Sequence, residues 1–215
     1  MIRTYIAEAL GTALLLVGVV ASGIMAETLT DDTALALLAN AVATGAMLYV
    51  IITCLGPISG AHFNPAVTLA FFLRKEVTAA TALAFVACQI AGGLAGVAAS
   101  HAMFDQAFFQ LSTTERASAG LWISEAIATF GLLFVIFGGL RAQPAAVPAL
   151  VAFYITGAYW FTSSTSFANP AVTIARSFTD TFAGIYPAHA PAFIAIQLAT
   201  AAIATPLLAH LFADD

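Results

Sequence analysis

Charge is what this sequence has least of. Six Lys and Arg and eleven Asp and Glu make up 8% of 215 residues, about a third of the share in ordinary soluble domains. So few ions cannot clothe a water-facing surface. With 61% apolar residues and a mean hydropathy of +0.98, the outside must meet lipid. Basic residues are the scarcer sign, and a net charge of −5 leaves no dense basic face, so no nucleic-acid partner is expected. Cysteine is nearly missing as well. Cys54 and Cys88 sit inside apolar runs, which suggests neither a disulfide scaffold nor a thiolate cluster. His101, His189 and His210 are scattered among loops and span ends, so neither a metal site nor a cofactor is expected. Inside the apolar stretches the only ionisable groups are Glu8 and Glu125, too few to converge on a reaction; no catalytic residue is assigned and no enzyme is expected. Arg3 ahead of the apolar run from Ala9 has the outline of a secretory signal, but Glu8 beside that run and the lack of a distinct polar domain after it favour a retained first span.

What is present is a set of long uncharged intervals. Eighteen residues separate Glu8 from Glu27, and Arg3 to Ile24 is long enough to cross a hydrocarbon core about 30 Å thick. The 41 uncharged residues from Thr33 to Leu73 are too many for one crossing. Gly56, Pro57, Ser59 and Gly60 punctuate them, which predicts a span from Ala34 to Leu55, a turn, and a short segment from Asn64 to Leu73. Ten residues of helix reach about 15 Å, halfway across, so that segment must be re-entrant and buried in protein. Further spans are expected at Thr78 to Ser100, Gly120 to Leu140, Pro144 to Phe161 and Pro191 to Phe212, with a second short helix from Asn169 to Phe178. Trp122, Trp160 and Tyr5 near span ends fit an interfacial belt.

The chain repeats itself across this layout. NPAVT occurs at Asn64 to Thr68 and again at Asn169 to Thr173, 105 residues on. Glu8 and Glu125 fall in the first span of each half, Gln89 and Gln197 in the last. Three spans per half is an odd number, so the second half must enter from the opposite face. The expected fold is an all-α membrane protein of six transmembrane helices and two re-entrant half-helices in an inverted repeat. Residues 1–215 form one domain with pseudo-repeats 1–110 and 117–215. With both termini cytoplasmic, Arg3, Arg74, Lys75 and Arg141 lie inside and Arg116 and Arg176 outside, the bias that positive-inside charge favours.

An Asn-Pro pair ordinarily opens a helix: the side-chain oxygen caps the first turn, and proline at the first position loses no needed bond. Doubled at mid-membrane, Asn64, Pro65 and Ala66 with Asn169, Pro170 and Ala171 predict a polar waist. There the asparagine amides offer donors to water or a hydroxylated solute, and two helix N-termini disfavour cations.

SGAHFNPAVT from Ser59 to Thr68, with NPAVT from Asn169, resembles the two signature loops of the aquaporin and glycerol-facilitator family, and the likeness runs over essentially the whole chain. It is similar to a bacterial branch with NPAVTIAR in the second loop, some of whose members are linked to arsenite or methylated arsenical permeation. The resemblance implies a passive channel for small uncharged solutes (water, glycerol-like polyols, arsenite), a homotetramer with one pore per subunit, and a place in the bacterial cytoplasmic membrane. It implies that Glu8 and Glu125 buttress the loops. The family's filter falls here on Thr44, Gly157, Ser166 and Val172, where an aromatic ring and an arginine are usual at the first and last. Their loss implies a wider throat, unless Phe63, Tyr159 or Phe167 fills the room. His62 lines the inner vestibule in relatives; a turn-stabilising histidine is the other reading.

Arg176 stands seven residues after Asn169. Seven steps of 100° return it to nearly the same helix face, about 10.5 Å along. It is therefore expected poreward in the outer vestibule, with Asp180 pinning it at i,i+4; snorkelling to headgroups is the alternative. A secondary transporter also uses inverted repeats and broken helices and is the competing class.

Overall fold

The computed structural model describes residues 2–213, and their regular structure is helical throughout. In chain order the helices are α1 (Ile2–Leu29), α2 (Thr33–Ser59), α3 (Pro65–Leu73), α4 (Ala79–Met103), α5 (Ala119–Ala142), α6 (Val147–Phe161, entered through a 3-10 turn at Pro144–Ala146), α7 (Pro170–Arg176) and α8 (Ala190–Leu211). Six of these segments are long and apolar enough to cross a membrane; α3 and α7 are not.

Helix starts follow their caps. The Asp32 carboxylate accepts from the backbone N–H of Ala34 and Leu35 to open α2, while the Thr78 and Ser118 hydroxyls accept from Thr81 and Leu121 to open α4 and α5. Some stops differ from expectation. α2 does not turn at Gly56-Pro57 but runs through both to Ser59 and ends at Gly60, whose φ is 87° and whose N–H donates to Gly56 O at 2.9 Å. A proline in the last turn removes a single ladder bond, whereas the left-handed glycine reverses the chain. α7 also stops earlier than expected, at Arg176 and not Phe178.

Packing treats the two halves alike. α1 packs on α2 and α4, as α5 does on α6 and α8; α3 packs on α8, as α7 does on α4; α2 meets α6 and α3 meets α7. Exchanging α1–α4 with α5–α8 leaves this pattern unchanged. α4 approaches α1 so closely that a Cβ on Gly92 or Gly96 would run into the Ala9 or Ala13 carbonyl oxygen. Small residues at these points let two backbones touch, which is how helices pack where lipid gives no hydrophobic drive.

Candidate functional site

The two Asn-Pro loops meet through their asparagines. Asn64 Oδ1 caps α3 by accepting from Ala66 N–H at 2.8 Å, and Asn169 Oδ1 caps α7 by accepting from Ala171 and Val172 N–H at 3.0 and 3.2 Å. The amide nitrogens reach across. Asn64 Nδ2 donates to Ala168 O at 2.7 Å, and Asn169 Nδ2 donates to Phe63 O at 2.8 Å. Each amide therefore gives one of its two protons to the other loop, where the sequence suggested that both were free.

Those carbonyls are presented by a strained backbone. Ala61 and Phe63 have φ of 52° and 50°; Ser166 and Ala168, at matching distances before Asn169, have 52° and 47°. Left-handed non-glycine residues cost about 1–3 kcal/mol each and need outside support. Buried carboxylates supply it. Glu8 accepts from His62 N–H at 3.0 Å, Phe63 N–H at 2.7 Å and the Ser59 hydroxyl at 2.6 Å. Glu125 accepts from Phe167 and Ala168 N–H, both at 2.9 Å. Gln89 Nε2 joins Glu8 to Thr68 Oγ1 (2.7 and 3.0 Å), and Gln197 Nε2 joins Glu125 to Thr173 Oγ1 (2.6 and 3.0 Å). The sequence marked both glutamines as part of the repeat without giving them this task.

Beside the loops lies a cavity of about 120 Å³, room for several waters where one needs about 10–15 Å³. Its wall is mostly aliphatic, from Leu15, Val19, Leu48, Leu132, Ile136 and Ile155, and is interrupted by Thr44, His62, Asn64, Tyr159, Ser166 and Arg176. Val172 is on the wall; Gly157 is not, and a Cβ there would meet only the Phe161 ring one turn along its own helix. Asn169 is also off the wall, as are the buried Pro65, Ala66, Pro170 and Ala171. Phe63, Tyr159 and Phe167 all reach the wall, and Tyr159 Oη donates to Thr44 Oγ1 at 3.2 Å. Ser166 Oγ is buried and has no hydrogen-bond partner among the described residues. His62 lines the cavity, its Nδ1 lies 3.1 Å from Thr68 Oγ1, and its ring stacks on Phe71 at 4.7 Å.

Arg176 is 3% exposed and lines the cavity. Its Nε donates to Ala183 O, and its guanidinium carbon sits 3.4 Å from the Phe167 ring centre. The expected pairing with Asp180 does not form. α7 ends at Arg176, so four residues on is no longer one turn away, and Asp180 Oδ1 instead accepts from Thr113 N–H and Oγ1–H at 2.8 and 2.9 Å. Arg116, which the sequence analysis used only in the count of charges on each side, also comes here. Its Nε donates to Gly184 O at 2.8 Å, its Nη1 to Ser164 O at 3.3 Å, and its guanidinium lies 5.1 Å from the Phe167 ring centre. Burial pulls its pKa below the usual arginine range, while the nearby Glu125 and Tyr159 act the other way. In a chain with so few basic residues, an arginine between two spans was the available signal.

Known proteins match this chain at every level. Residues 1–162 match the major intrinsic protein family; the match stops seven residues before Asn169. An aquaglyceroporin, AqpS, of Rhizobium meliloti is 53% identical over 96% of this chain and 88% of its own length. A PIP-type aquaporin of Atriplex canescens is 34% identical over 63% of this chain, which spans 50% of that protein. The fold is shared with the aquaglyceroporin from Plasmodium falciparum, with a TM-score of 0.71 at 17% identity over 98% of this chain and 95% of the other. With six spanning helices and a match over most of its length, the chain belongs to the major intrinsic protein family, whose members are passive membrane channels and not enzymes.

Proposed function

We propose that the chain is a passive channel for water and small uncharged, polyol-sized solutes, and that it excludes protons and cations. α3 and α7 are re-entrant half-helices entering from opposite faces of a bacterial cytoplasmic membrane, with both termini cytoplasmic, and the pore is repeated in a homotetramer. Asn64 lines the waist, with Asn169 crossed behind it and the buried Pro-Ala pairs starting both short helices; Thr44, Ser166 and Val172 form the filter, with Gly157 behind it; His62 marks the inner vestibule; Glu8 and Glu125 support the loops. Arg176 takes over outside the filter the positive charge that Val172 lacks.

The observation that carries this reading is the crossed Asn64 and Asn169 pair beside an aliphatic cavity with a few polar stations. Donors held by the fold replace part of a solute's lost hydration, and the aliphatic wall offers a cation nothing in return. No acidic side chain lines the cavity among the described residues.

Proteoliposomes with no ion gradient test it by stopped-flow and tracer flux of water, glycerol, urea, arsenous acid and a methylated arsenical. Flux rising linearly with concentration, without an ion partner, is expected. Saturable uptake that needs a proton or sodium gradient would establish the transporter class instead, and absence of flux for every solute would overturn the channel reading.

A further inference from the structure

Arg116 and Arg176 reach the same aromatic ring from different parts of the chain. One comes from the linker between α4 and α5, the other from the end of α7, and both guanidiniums lie over Phe167. Their acceptors are neighbours too: Arg176 bonds Ala183 O and Arg116 bonds Gly184 O. Like charges held against one ring repel where burial weakens screening, and the charge of Arg116 bears on Arg176. Glu125 is the acidic group near both, and its oxygens are taken by Phe167 N–H, Ala168 N–H and Gln197. Only Arg176 lines the cavity.

We propose that Arg116 is the positioning residue that keeps Arg176 turned to the lumen. A guanidinium carries five donors and takes nearby carbonyls when they are free. Gly184 O, one residue beyond the carbonyl that Arg176 already uses, is the natural second acceptor and would draw the group into the wall. Arg116 takes that oxygen, takes Ser164 O in the loop before α7, and repels Arg176 by charge. Arg176 keeps one protein hydrogen bond, through Nε, and its two terminal nitrogens take none among the described residues. They are left for water or for the oxygen atoms of an entering solute, and their charge faces any entering cation. Arg116 is itself fastened, its backbone N–H donating to His189 Nδ1 at 3.0 Å.

The inference rests on the channel reading, which wild-type flux of neutral solutes tests separately: a wild type without such flux refutes the channel, not the pairing. The experiment compares cation leak, normalised to water flux and to assembled protein, in wild type, Arg116→Lys, Arg116→Gln, Arg176→Gln and the Arg116→Gln/Arg176→Gln double variant. Losing the charge and fork in Arg116→Gln raises the leak by about fivefold. Lys keeps the charge but reaches one carbonyl, so its leak rises by roughly twofold. The double variant is no leakier than Arg176→Gln alone, because Arg116 acts through Arg176. A leak at the wild-type level in either single Arg116 variant overturns the proposal, and so does an additive double variant. If the Gln variant does not assemble, the Lys variant decides.

Discussion

Asn64 and Asn169 cap their own helix with oxygen and hold the opposite loop with nitrogen, so a carboxylate is the most informative replacement. Aspartate caps equally well, but in place of Nδ2 it would set an oxygen against Ala168 O or Phe63 O at hydrogen-bonding distance. Asn64→Asp and Asn169→Asp should each lower stability by about 1–3 kcal/mol, read as an earlier thermal transition in detergent. Asn64→Asp, which changes the cavity wall directly, should also reduce neutral-solute flux and weaken cation exclusion more than Asn169→Asp does; equal flux and exclusion in both would contradict the asymmetry of the wall. A second residue-scale test concerns throat width. Phe at 44 breaks the Tyr159 bond and adds a ring beside it, and Arg at 172 adds a third guanidinium near Arg176. Thr44→Phe with Val172→Arg should lower the glycerol-to-water permeability ratio by roughly tenfold, since a ring and a guanidinium fill room that one hydroxyl and three methyl groups leave open. An unchanged ratio in stopped-flow would mean that Phe63, Tyr159 and Phe167 already set the width.

The α1–α4 contact depends on two glycines one turn apart. Gly92→Val or Gly96→Val places branched carbon against the backbone carbonyls of Ala9 and Ala13, atoms that cannot swing aside, and each should cost about 1–3 kcal/mol. Gly120→Ala, in the first turn of α5, is the control, because a Cβ there meets only Ser118 Oγ at 3.9 Å; it should be neutral or stabilising by up to about 1 kcal/mol. Thermal unfolding in detergent separates the two classes. At this scale the sequence was largely legible. Charge-free intervals located all six long helices because lipid excludes ions over a fixed length, and the repeated NPAVT located both short ones. Pro57 misled because a proline signals a helix boundary without saying whether the last turn lies before or after it, and here Gly60 was the stop. The bonds that make the site were hidden for another reason. The partners of Asn64 and Asn169 are backbone carbonyls 104 and 106 residues away, and carbonyls leave no mark in sequence. Arg116 was missed on the same ground, since both of its side-chain acceptors are main-chain oxygens. The Arg176–Asp180 pairing failed because i,i+4 arithmetic assumes a helix that continues.

For the whole molecule, the structure sharpens the meaning of the few positive charges. Arg3, Arg74, Lys75 and Arg141 are exposed at helix ends or connections, whereas Arg176 is buried and Arg116 half-buried, each bonded to carbonyls of the site. The last two are therefore committed to the site in the folded chain. The remaining four all fall on one side if each long helix crosses once, which favours a cytoplasmic location for that side and for both termini. The orientation proposed above would put the Arg116–Arg176 end of the cavity on the outer face. Thiol labelling tests this arrangement in a background with Cys54 and Cys88 changed to Ser. Asp31→Cys and Ala107→Cys, both at exposed positions in connections, should react with a membrane-impermeant maleimide in intact cells. Glu76→Cys and Gln143→Cys, exposed on the other set of connections, should react only after permeabilisation. The reverse pattern would place the paired arginines at the cytoplasmic mouth, and they would then screen solutes leaving the cell before they screened those entering it. A mixed pattern within either pair would contradict six single crossings.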